Sequence, residues 1–461
     1  MNRILDGVTP TSSTSDLASS LSFPSNFLWG TATASFQVEG AAEADGRSPS
    51  IWDTFCRTPG AVAHGHTGDV GSDQYHRYAE DVGLMKELGI GAYRFSLAWP
   101  RILPDGIGKV NPKGFEYYHR LLDALHAAGI RPAVTLYHWD LPQVLEDRGG
   151  WTNRDIVGWF GEYAEAVYKE LGDKVDFWMT LNEPFCTAIL GYLTGHHAPG
   201  ITDRAKAYAA VHHLHLAHGA AVDAYRATGQ GGEIGIVLNL STPRPATRRP
   251  EDVEAADRAA DMPTRMFLDP IMGRGYPERH LAAYPAAPVP MRDGDVEKIS
   301  RKIDFIGVNY YTEHVVAFDP DSPEKFRSVP QCEPVTDMGW PIVPKGFHRH
   351  LRWIAENTNG LPLYVTENGC AMPDELDDTG TRCHDPRRID YLRSHLGACA
   401  RAIADGVPLK GYFVWSFIDN FEWAFGYTRR FGIVYCDYLD ARRVPKDSFY
   451  FFRDVVSGAE A

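Results

Sequence analysis

The sequence predicts an α/β protein that folds as a single (β/α)8 barrel, a TIM barrel with long βα loops. Eight short apolar segments alternate with longer helical segments, and no linker-like segment interrupts the series. The apolar segments lack the alternation of polar and apolar residues that an exposed strand shows, and this is typical of parallel strands buried on both faces. A chain of 461 residues, 44% of them hydrophobic, is long enough to bury a core of this size.

The elements follow one another in the order strand, helix, strand along the chain. The predicted helices that are best defined end next to a glycine, which is the expected stop signal. They cover residues 74–88, 114–128, 154–171 and 385–404. The predicted strands cover residues 28–33, 92–97, 131–136, 177–181, 235–239, 305–309, 363–366 and 411–415. Residues 1–22 are predicted to form a flexible arm, residues 23–461 the barrel domain, and segments 241–250 and 318–334 long surface loops.

Composition excludes some partners. Lys and Arg number 46 against 60 Asp and Glu, and a net charge of −14 repels nucleic acid and anionic membranes. No apolar run is long enough to span a bilayer, and no secretory signal is visible at the start. The seven scattered cysteines include no Cys-x-x-Cys pair, which predicts neither a disulfide framework nor a thiolate zinc site. We therefore expect a cytoplasmic protein; its oligomeric state is not predicted.

Polar and aromatic side chains lie at or just after the ends of nearly every predicted strand. In such barrels, the carboxyl ends of the strands carry the chemistry. Hydroxyl groups of a ligand would be oriented by the polar residues, and its flat C–H face would be covered by the rings, so the pattern predicts a sugar site. The residues are Gln37, Arg94, His138, Trp139, Asn182, Glu183, Asn309, Tyr311, Glu367 and Trp415.

Two of these residues are carboxylates, Glu183 in LNEP (181–184) and Glu367 in TENG (366–369). Cleavage of a glycosidic bond needs such a pair: one protonates the leaving oxygen while the other attacks the sugar carbon or activates water. Retention follows when the two are about 5–5.5 Å apart and inversion when they are about 6.5–9.5 Å apart. The sequence leaves both outcomes open.

Seven segments together identify the chain as similar to a known family. From about residue 27 to 450 it resembles the family 1 glycoside hydrolases, which include β-glucosidases and β-galactosidases. The segments are FLWGTATASFQVEG (27–40), YRFSLAWPRI (93–102), LYHWDLP (136–142), WMTLNEP (178–184), DFIGVNYYT (304–312), YVTENG (364–369) and WSFIDNFEWA (415–424).

The resemblance implies a retaining β-glucosidase with a (β/α)8 barrel and no cofactor. Glu183 matches the acid/base and Glu367 the nucleophile. It also implies four residues that support the catalytic pair: Arg94, Asn182, Asn309 and Tyr311. Of these, Arg94 and Tyr311 match contacts of the nucleophile, and Asn182 matches the partner of the sugar 2-hydroxyl. Substrate contacts are implied for Gln37, His138, Trp139, Asn182, Tyr311, Trp340, Trp415, Glu422, Trp423 and Phe431, with Trp340 at the leaving-group site.

The charges of these residues give the carboxyls opposite expected pKa shifts. Arg94 is expected to lower the pKa of Glu367, and the charge on Glu367 is expected to raise the pKa of Glu183. The partner is a small β-glycoside, such as a β-glucoside or a short β-linked oligosaccharide.

Two functional alternatives stay open. A 6-phospho-β-glycosidase would carry Ser, Lys and Tyr where this chain has Glu422, Arg429 and Phe431, and the charge of Glu422 would repel a phosphate. A non-catalytic sugar-binding relative would have replaced a carboxylate.

Four histidines at positions 212, 213, 215 and 218 also suggest a metal site, but a buried helix face is favoured because no carboxylate completes a zinc-binding pattern. No metal is expected. Cys186, which lies three residues after Glu183, is favoured as buried packing.

Overall fold

The computed structural model describes residues 21–459. Eight parallel strands close into a barrel in which each strand pairs with its sequence neighbours and the last pairs with the first. This confirms the predicted (β/α)8 barrel. The predicted arm of residues 1–22 lies outside the described residues except for its last two. The strands are β1 Leu28–Ala32, β2 Ala92–Ser96, β3 Arg131–Tyr137, β4 Phe177–Asn182, β5 Glu233–Leu238, β6 Phe305–Asn309, β7 Leu363–Asn368 and β8 Leu409–Trp415.

The strand bounds differ from the predicted ones by at most two residues. β4 and β7 extend past the apolar segments, to Asn182 and Asn368, because these polar residues still pair with Val237 and Val414 on the neighbouring strands. Apolar character sets the core of a strand, whereas backbone pairing sets its end. The two asparagines are buried at the carboxyl end of the barrel.

Between residues 21 and 459, seven long helices surround the barrel. On α2, the buried residues Phe115, Tyr118, Leu122 and Leu125 recur at helical spacing and form its core-facing stripe. The helices are α1 Gln74–Leu88, α2 Pro112–Ala128, α3 Ile156–Leu171, α4 Arg204–Ala227, α5 Pro344–Asn357, α6 Pro386–Ala404 and α7 Asp447–Ser457.

Glycine ends some of these helices as predicted. Gly89 and Gly129 have φ of 77° and 74°, a left-handed conformation that glycine adopts without a steric penalty. Gly172 ends α3 with a right-handed φ of −71°, so it does not form this type of cap. α2 begins at Pro112, two residues before the predicted start, because proline suits the first turn of a helix.

The connections contain further short elements. The predicted loops 241–250 and 318–334 are wrong in part, because Arg244–Pro245, Val315–Phe318 and Phe326–Ser328 form a small sheet. Val434–Asp437 and Arg442–Pro445 form a hairpin. The short α-helices are Ser35–Val38, Ile51–Cys56, Trp99–Ile102, Gln143–Glu146, Pro250–Ala259, Met266–Ile271, Glu278–Ala282 and Asp295–Ile299. Segments of 3-10 helix cover Ala44–Gly46, Ala63–Gly65, Gly150–Thr152 and Trp423–Thr428, and π-helices cover Cys186–Leu190 and Asp261–Arg265.

The four histidines of α4 are buried and hydrogen-bonded inside the protein. His212 lies between Tyr276 and Asp295, at 2.9 Å from an oxygen of each. His218 contacts the hydroxyl of Thr180 at 2.7 Å. Within residues 21–459, no group of three or more His, Cys, Asp or Glu side chains is placed to hold a metal ion.

None of the helices between residues 21 and 459 is long and apolar enough to cross a membrane.

Candidate active site

A cavity of about 1060 Å³ lies at the carboxyl ends of the strands. Most of the predicted site residues line it. Gln37, Arg94 and Asn182 are absent from the lining and are held directly behind it by hydrogen bonds to lining residues. The predicted residues in the lining are His138, Trp139, Glu183, Asn309, Tyr311, Trp340, Glu367, Trp415, Glu422, Trp423 and Phe431.

Glu367 lies on β7 opposite Asn309 of β6, and both of its oxygens accept short hydrogen bonds. Nη1 of Arg94 donates to Oε1 at 2.6 Å, and the Tyr311 hydroxyl donates to Oε2 at 2.6 Å. Arg94 is fully buried, so water does not screen this ion pair. These contacts fix the carboxylate in one orientation and stabilise its ionised form.

Glu183 directly follows β4 and receives only neutral donors. Nδ2 of Asn309 donates to Oε1 at 2.6 Å, and the thiol of Cys186 donates to Oε2 at 3.0 Å. The backbone φ of Glu183 is 45°, in the left-handed region that costs a residue with a side chain of this size about 1–3 kcal/mol. Its amide nitrogen donates to the carbonyl of Val237, which holds this turn against β5.

Burial raises the pKa of both carboxyls, but different neighbours oppose this rise. Burial and the charge of Glu367 raise the pKa of Glu183 to about 8. Burial also raises the pKa of Glu367, although Arg94 and Tyr311 act in the opposite direction. Arg94 thus lowers the pKa of Glu367 as expected, but desolvation outweighs this effect and the net shift is upward. Since only Glu367 has a cationic partner, a proton shared by the pair rests on Glu183.

A chain of hydrogen bonds connects Arg94 to His138. Nη2 of Arg94 and Nδ2 of Asn309 donate to Oδ1 of Asn182, so the Asn182 amide turns its Nδ2 to Nε2 of His138 at 3.0 Å. Burial lowers the pKa of His138, which keeps the ring neutral. Nε2 then accepts, and the proton lies on Nδ1, which has no hydrogen-bond partner among residues 21–459. His138 thus offers a free donor.

Aromatic rings form one wall of the cavity. His138 stacks on Trp415 at a centroid distance of 5.7 Å, and Trp139 lies 4.5 Å from Trp423. Trp139 and Trp423 have φ of 81° and 48°, so both rings are held by backbone in the left-handed region. A continuous aromatic wall is suited to the C–H face of a sugar ring.

Glu422 and Gln37 form a second polar group at the cavity. Nε2 of Gln37 donates to Oδ1 of Asn420 at 3.0 Å and to Oε2 of Glu422 at 3.4 Å. Its Oε1 is a buried acceptor that has no partner within the described part of the chain. Burial and the charges of the two other glutamates raise the pKa of Glu422 to about 8. A hydroxyl-rich ligand would satisfy these free polar atoms.

Tyr311, Trp340 and Phe431 form a further aromatic group that lines the cavity. The ring of Trp340 lies 5.5 Å from Tyr311 and 6.3 Å from Phe431, and it is only partly buried. Phe425 is 41% exposed and lines the same cavity. Trp340 and Phe425 are thus more exposed than Trp415 and Trp423, which are buried.

Sequence reasoning missed several lining residues. Asn239 directly follows β5, and the strand-end rule that found the other polar residues would have found it too. Phe55, Phe185 and His197 come from connections between elements, and no sequence signal places them at the cavity. The contact of Cys186 with Glu183 was also missed, although Cys186 is buried as expected.

Two buried carboxyls in different environments face one polar cavity with an aromatic wall, at the carboxyl end of a (β/α)8 barrel. This is the arrangement of a glycoside hydrolase.

Comparisons with known proteins agree with this class. A model described as Glycosyl hydrolase family 1 matches residues 19–461. Beta-glucosidase A of Thermotoga maritima is 50% identical over 438 residues, 94% of this chain and 97% of that protein. The 1,4-beta-D-glucan glucohydrolase of Thermotoga neapolitana is 49% identical over 94% of this chain and 98% of its own. The structure of a Thermotoga maritima beta-glucosidase in complex with glucoimidazole has a TM-score of 0.92 and 48% identity, and covers 96% of this chain and 100% of that chain. The chain belongs to glycosyl hydrolase family 1, which confirms the family resemblance.

Proposed function

We propose that the chain is a retaining β-D-glucosidase that removes terminal β-D-glucosyl residues from β-glucosides and short β-linked oligosaccharides. The observation that carries the proposal is the asymmetry of the two carboxyls: Glu367 is paired with Arg94, whereas Glu183 has neutral donors and a raised pKa. The family membership and the names of the two relatives support the substrate class.

In the first step, a carboxylate oxygen of Glu367 attacks the anomeric carbon. The bond from this carbon to the leaving oxygen breaks, and Glu183 transfers its proton to that oxygen. Arg94 and Tyr311 hold the attacking carboxylate in position. The product is a glycosyl ester on Glu367, with inverted configuration at the anomeric carbon.

In the second step, Glu183 acts as a base. Esterification removes the charge of Glu367, so the pKa of Glu183 falls and its carboxylate accepts a proton from water. The water oxygen bonds to the anomeric carbon and the ester bond breaks. Two inversions give net retention.

The remaining residues would bind the sugar. We assign the 2-hydroxyl to Asn182, and we assign the other hydroxyls to the free Nδ1 of His138, the free Oε1 of Gln37, and Glu422. Trp415, Trp423 and Trp139 cover the C–H face of the ring. We assign the leaving group to the partly exposed Trp340, beside which Tyr311 and Phe431 lie; Asn309 holds Glu183 for proton transfer.

The test is turnover of p-nitrophenyl β-D-glucoside at neutral pH in the presence of a chelator. The native chain is expected to release p-nitrophenol. Glu367→Gly is expected to lose activity by a factor of about 10⁴ or more because the covalent route is closed, and formate or azide is expected to restore part of it.

The same assay decides between the alternatives. A Glu367→Gly variant with near-native activity would refute the assignment of the nucleophile. Binding of glucose without turnover of any β-glycoside would favour a non-catalytic sugar-binding protein. Preferred turnover of the 6-phosphorylated substrate would favour a 6-phospho-β-glycosidase.

We further propose that residues 23–461 act as one catalytic domain in a reducing compartment, the cytoplasm. The seven cysteines, all within the described residues, are free thiols, and six of them are buried. Structural disulfides are rare in reducing compartments, which agrees with this use of cysteine.

A further inference from the structure

The two oxygens of Glu183 are held by different kinds of donor. Oε1 lies 2.6 Å from the amide nitrogen Nδ2 of Asn309, and Oε2 lies 3.0 Å from the sulfur of Cys186. An amide N–H is a strong donor and a thiol a weak one. The carboxyl group is therefore held asymmetrically.

The Asn309 amide cannot turn over without losing two hydrogen bonds. The hydroxyl of Thr366 donates to its Oδ1 at 2.7 Å, and its Nδ2 also donates to Oδ1 of Asn182 at 3.1 Å. Oε1 of Glu183 consequently always faces an N–H group, which favours the unprotonated form of that oxygen. The proton of the neutral carboxyl then lies on Oε2.

A second hydrogen bond, from Asn239 to the sulfur of Cys186, orients the thiol toward Oε2 of Glu183. Nδ2 of Asn239 donates to the Cys186 sulfur at 3.3 Å, which engages the sulfur as an acceptor and leaves its S–H for Glu183. Cys186 begins the π-helix Cys186–Leu190, and helices of this kind are frequent at functional sites. Its side chain is buried and also lines the cavity.

We propose that Cys186 is a positioning residue for the reaction. Its thiol, aligned by Asn239, holds Oε2 of Glu183 as the oxygen that gives the proton to the leaving group and takes one back from water. This inference rests on the acid/base role of Glu183 in the proposed function. The thiol acts through Glu183 and forms no bond with the substrate.

The charges around Glu183 support this role. Burial and the Glu183 carboxylate raise the pKa of the Cys186 thiol well above its usual value, so the thiol stays protonated and remains a donor. The donated hydrogen bond lowers the pKa of Glu183 and thus opposes the effects of burial and of Glu367. The other titratable or charged groups of the cavity lining are His138, His196, His197, Tyr310, Tyr311, His314 and Glu422, and Arg94 lies directly behind it. A change at Cys186 leaves all of them in place.

The experiment measures the titration of Glu183 by pH-difference infrared spectroscopy, with its band identified by its loss in Glu183→Gln. Cys186→Ala removes the donor and is expected to raise the midpoint by about half a pH unit; Cys186→Ser supplies a stronger donor and is expected to lower it by about as much. The alkaline limb of kcat/KM for p-nitrophenyl β-D-glucoside is expected to move in the same directions. The matched control is Cys399→Ala, which removes a buried thiol from α6, an outer helix, and is expected to change neither quantity.

The possible results separate the inference from the proposed function. Unchanged midpoints in both Cys186 variants, with an active native chain, would overturn the positioning role. Midpoints that move in an inactive native chain would support the contact and refute the proposed activity. Serine is close to cysteine in size, so Cys186→Ser supplies a folded variant if Cys186→Ala does not fold.

Discussion

Glu183 and Glu367 are the same residue type in one cavity, and their neighbours give them different chemistry. Arg94 and Tyr311 stabilise the charge of Glu367, whereas Asn309 and Cys186 offer Glu183 only neutral hydrogen bonds. Pairs of titratable groups whose environments separate their pKa values are typical of acid and base assignments in enzymes. The assignment of roles thus depends on the contacts of each carboxyl.

At this residue scale, the pKa of about 8 for Glu183 predicts the alkaline limit of activity. Glu183 donates a proton in the first step, so its protonated form is the active one. As the pH rises above about 8 that form is lost, and kcat/KM is expected to fall about tenfold for each further pH unit. A pH profile with p-nitrophenyl β-D-glucoside measures this.

A substrate with a better leaving group provides the control for this prediction. The 2,4-dinitrophenyl glucoside needs little help from an acid, so its rate is expected to fall less at alkaline pH. Identical profiles for the two substrates, or a flat profile to pH 10, would contradict the role of Glu183.

The identity of the site residues could be predicted from sequence, but their contacts could not. The motif around Glu183 indicated an acid, yet its hydrogen-bond partners come from positions 186 and 309. Thr366, which fixes the Asn309 amide, is the residue before Glu367, and no sequence pattern shows that its hydroxyl faces β6. Contacts across a barrel depend on strand register, and register cannot be read from the amino-acid sequence.

At the scale of elements, the ends of β7 and β8 approach each other very closely. Gly369 follows β7, and a Cβ atom at this position would lie 1.7 Å from the carbonyl oxygen of Trp415 at the end of β8. Only glycine permits this approach, which places Glu367 and Trp415 beside each other at the cavity.

Gly369→Ala is therefore expected to separate these strand ends. We expect it to lower the free energy of unfolding by about 3 kcal/mol and to reduce turnover, because overpacking moves the backbone under Glu367. Thermal unfolding and the glucoside assay measure the two effects.

Gly397→Ala is the matched control, because a Cβ atom at this position of α6 meets nothing within 4 Å. It is expected to stabilise the protein by about 1 kcal/mol, since alanine favours the helix, with unchanged turnover. If Gly369→Ala and Gly397→Ala changed the free energy of unfolding and the turnover equally, close packing at Gly369 would have no special role.

The sequence predicted every barrel strand, but not the segment between β5 and β6. Strands that are buried on both faces leave a clear apolar signal, as in 305–309, where prediction and structure agree in both bounds. The short helices between these strands are mixed in character, and so is the small sheet, which has one strand between β5 and β6 and two strands after β6. Both depend on tertiary contacts. Their local pattern did not distinguish them from loops.

At the scale of the whole molecule, the net charge of −14 and the three carboxyls of the cavity disfavour anionic substrates. We expect kcat/KM for p-nitrophenyl β-D-glucoside 6-phosphate to be lower than for the plain glucoside by about 100-fold at low salt, and to rise with salt as repulsion is screened. The neutral substrate is expected to respond little to salt. The raised pKa of Glu422 means that its repulsion is strongest above about pH 8.

This comparison measures both substrates over a range of salt concentrations. Equal or faster turnover of the phosphorylated substrate at low salt would show that the cavity accommodates a dianion, contrary to this prediction.

The left-handed backbone of Trp139, Glu183 and Trp423 has a consequence for attempts to improve the protein. Glycine would relieve the backbone strain at all three positions, but at Trp139 and Trp423 the loss of a buried ring would cost about 3–5 kcal/mol and outweigh that relief. At Glu183 the same change also removes a buried carboxyl, so there it is expected to stabilise the protein. A library selected for heat resistance alone would therefore collect Glu183→Gly and lose turnover. Directed evolution of this enzyme therefore needs selection for both properties in every round.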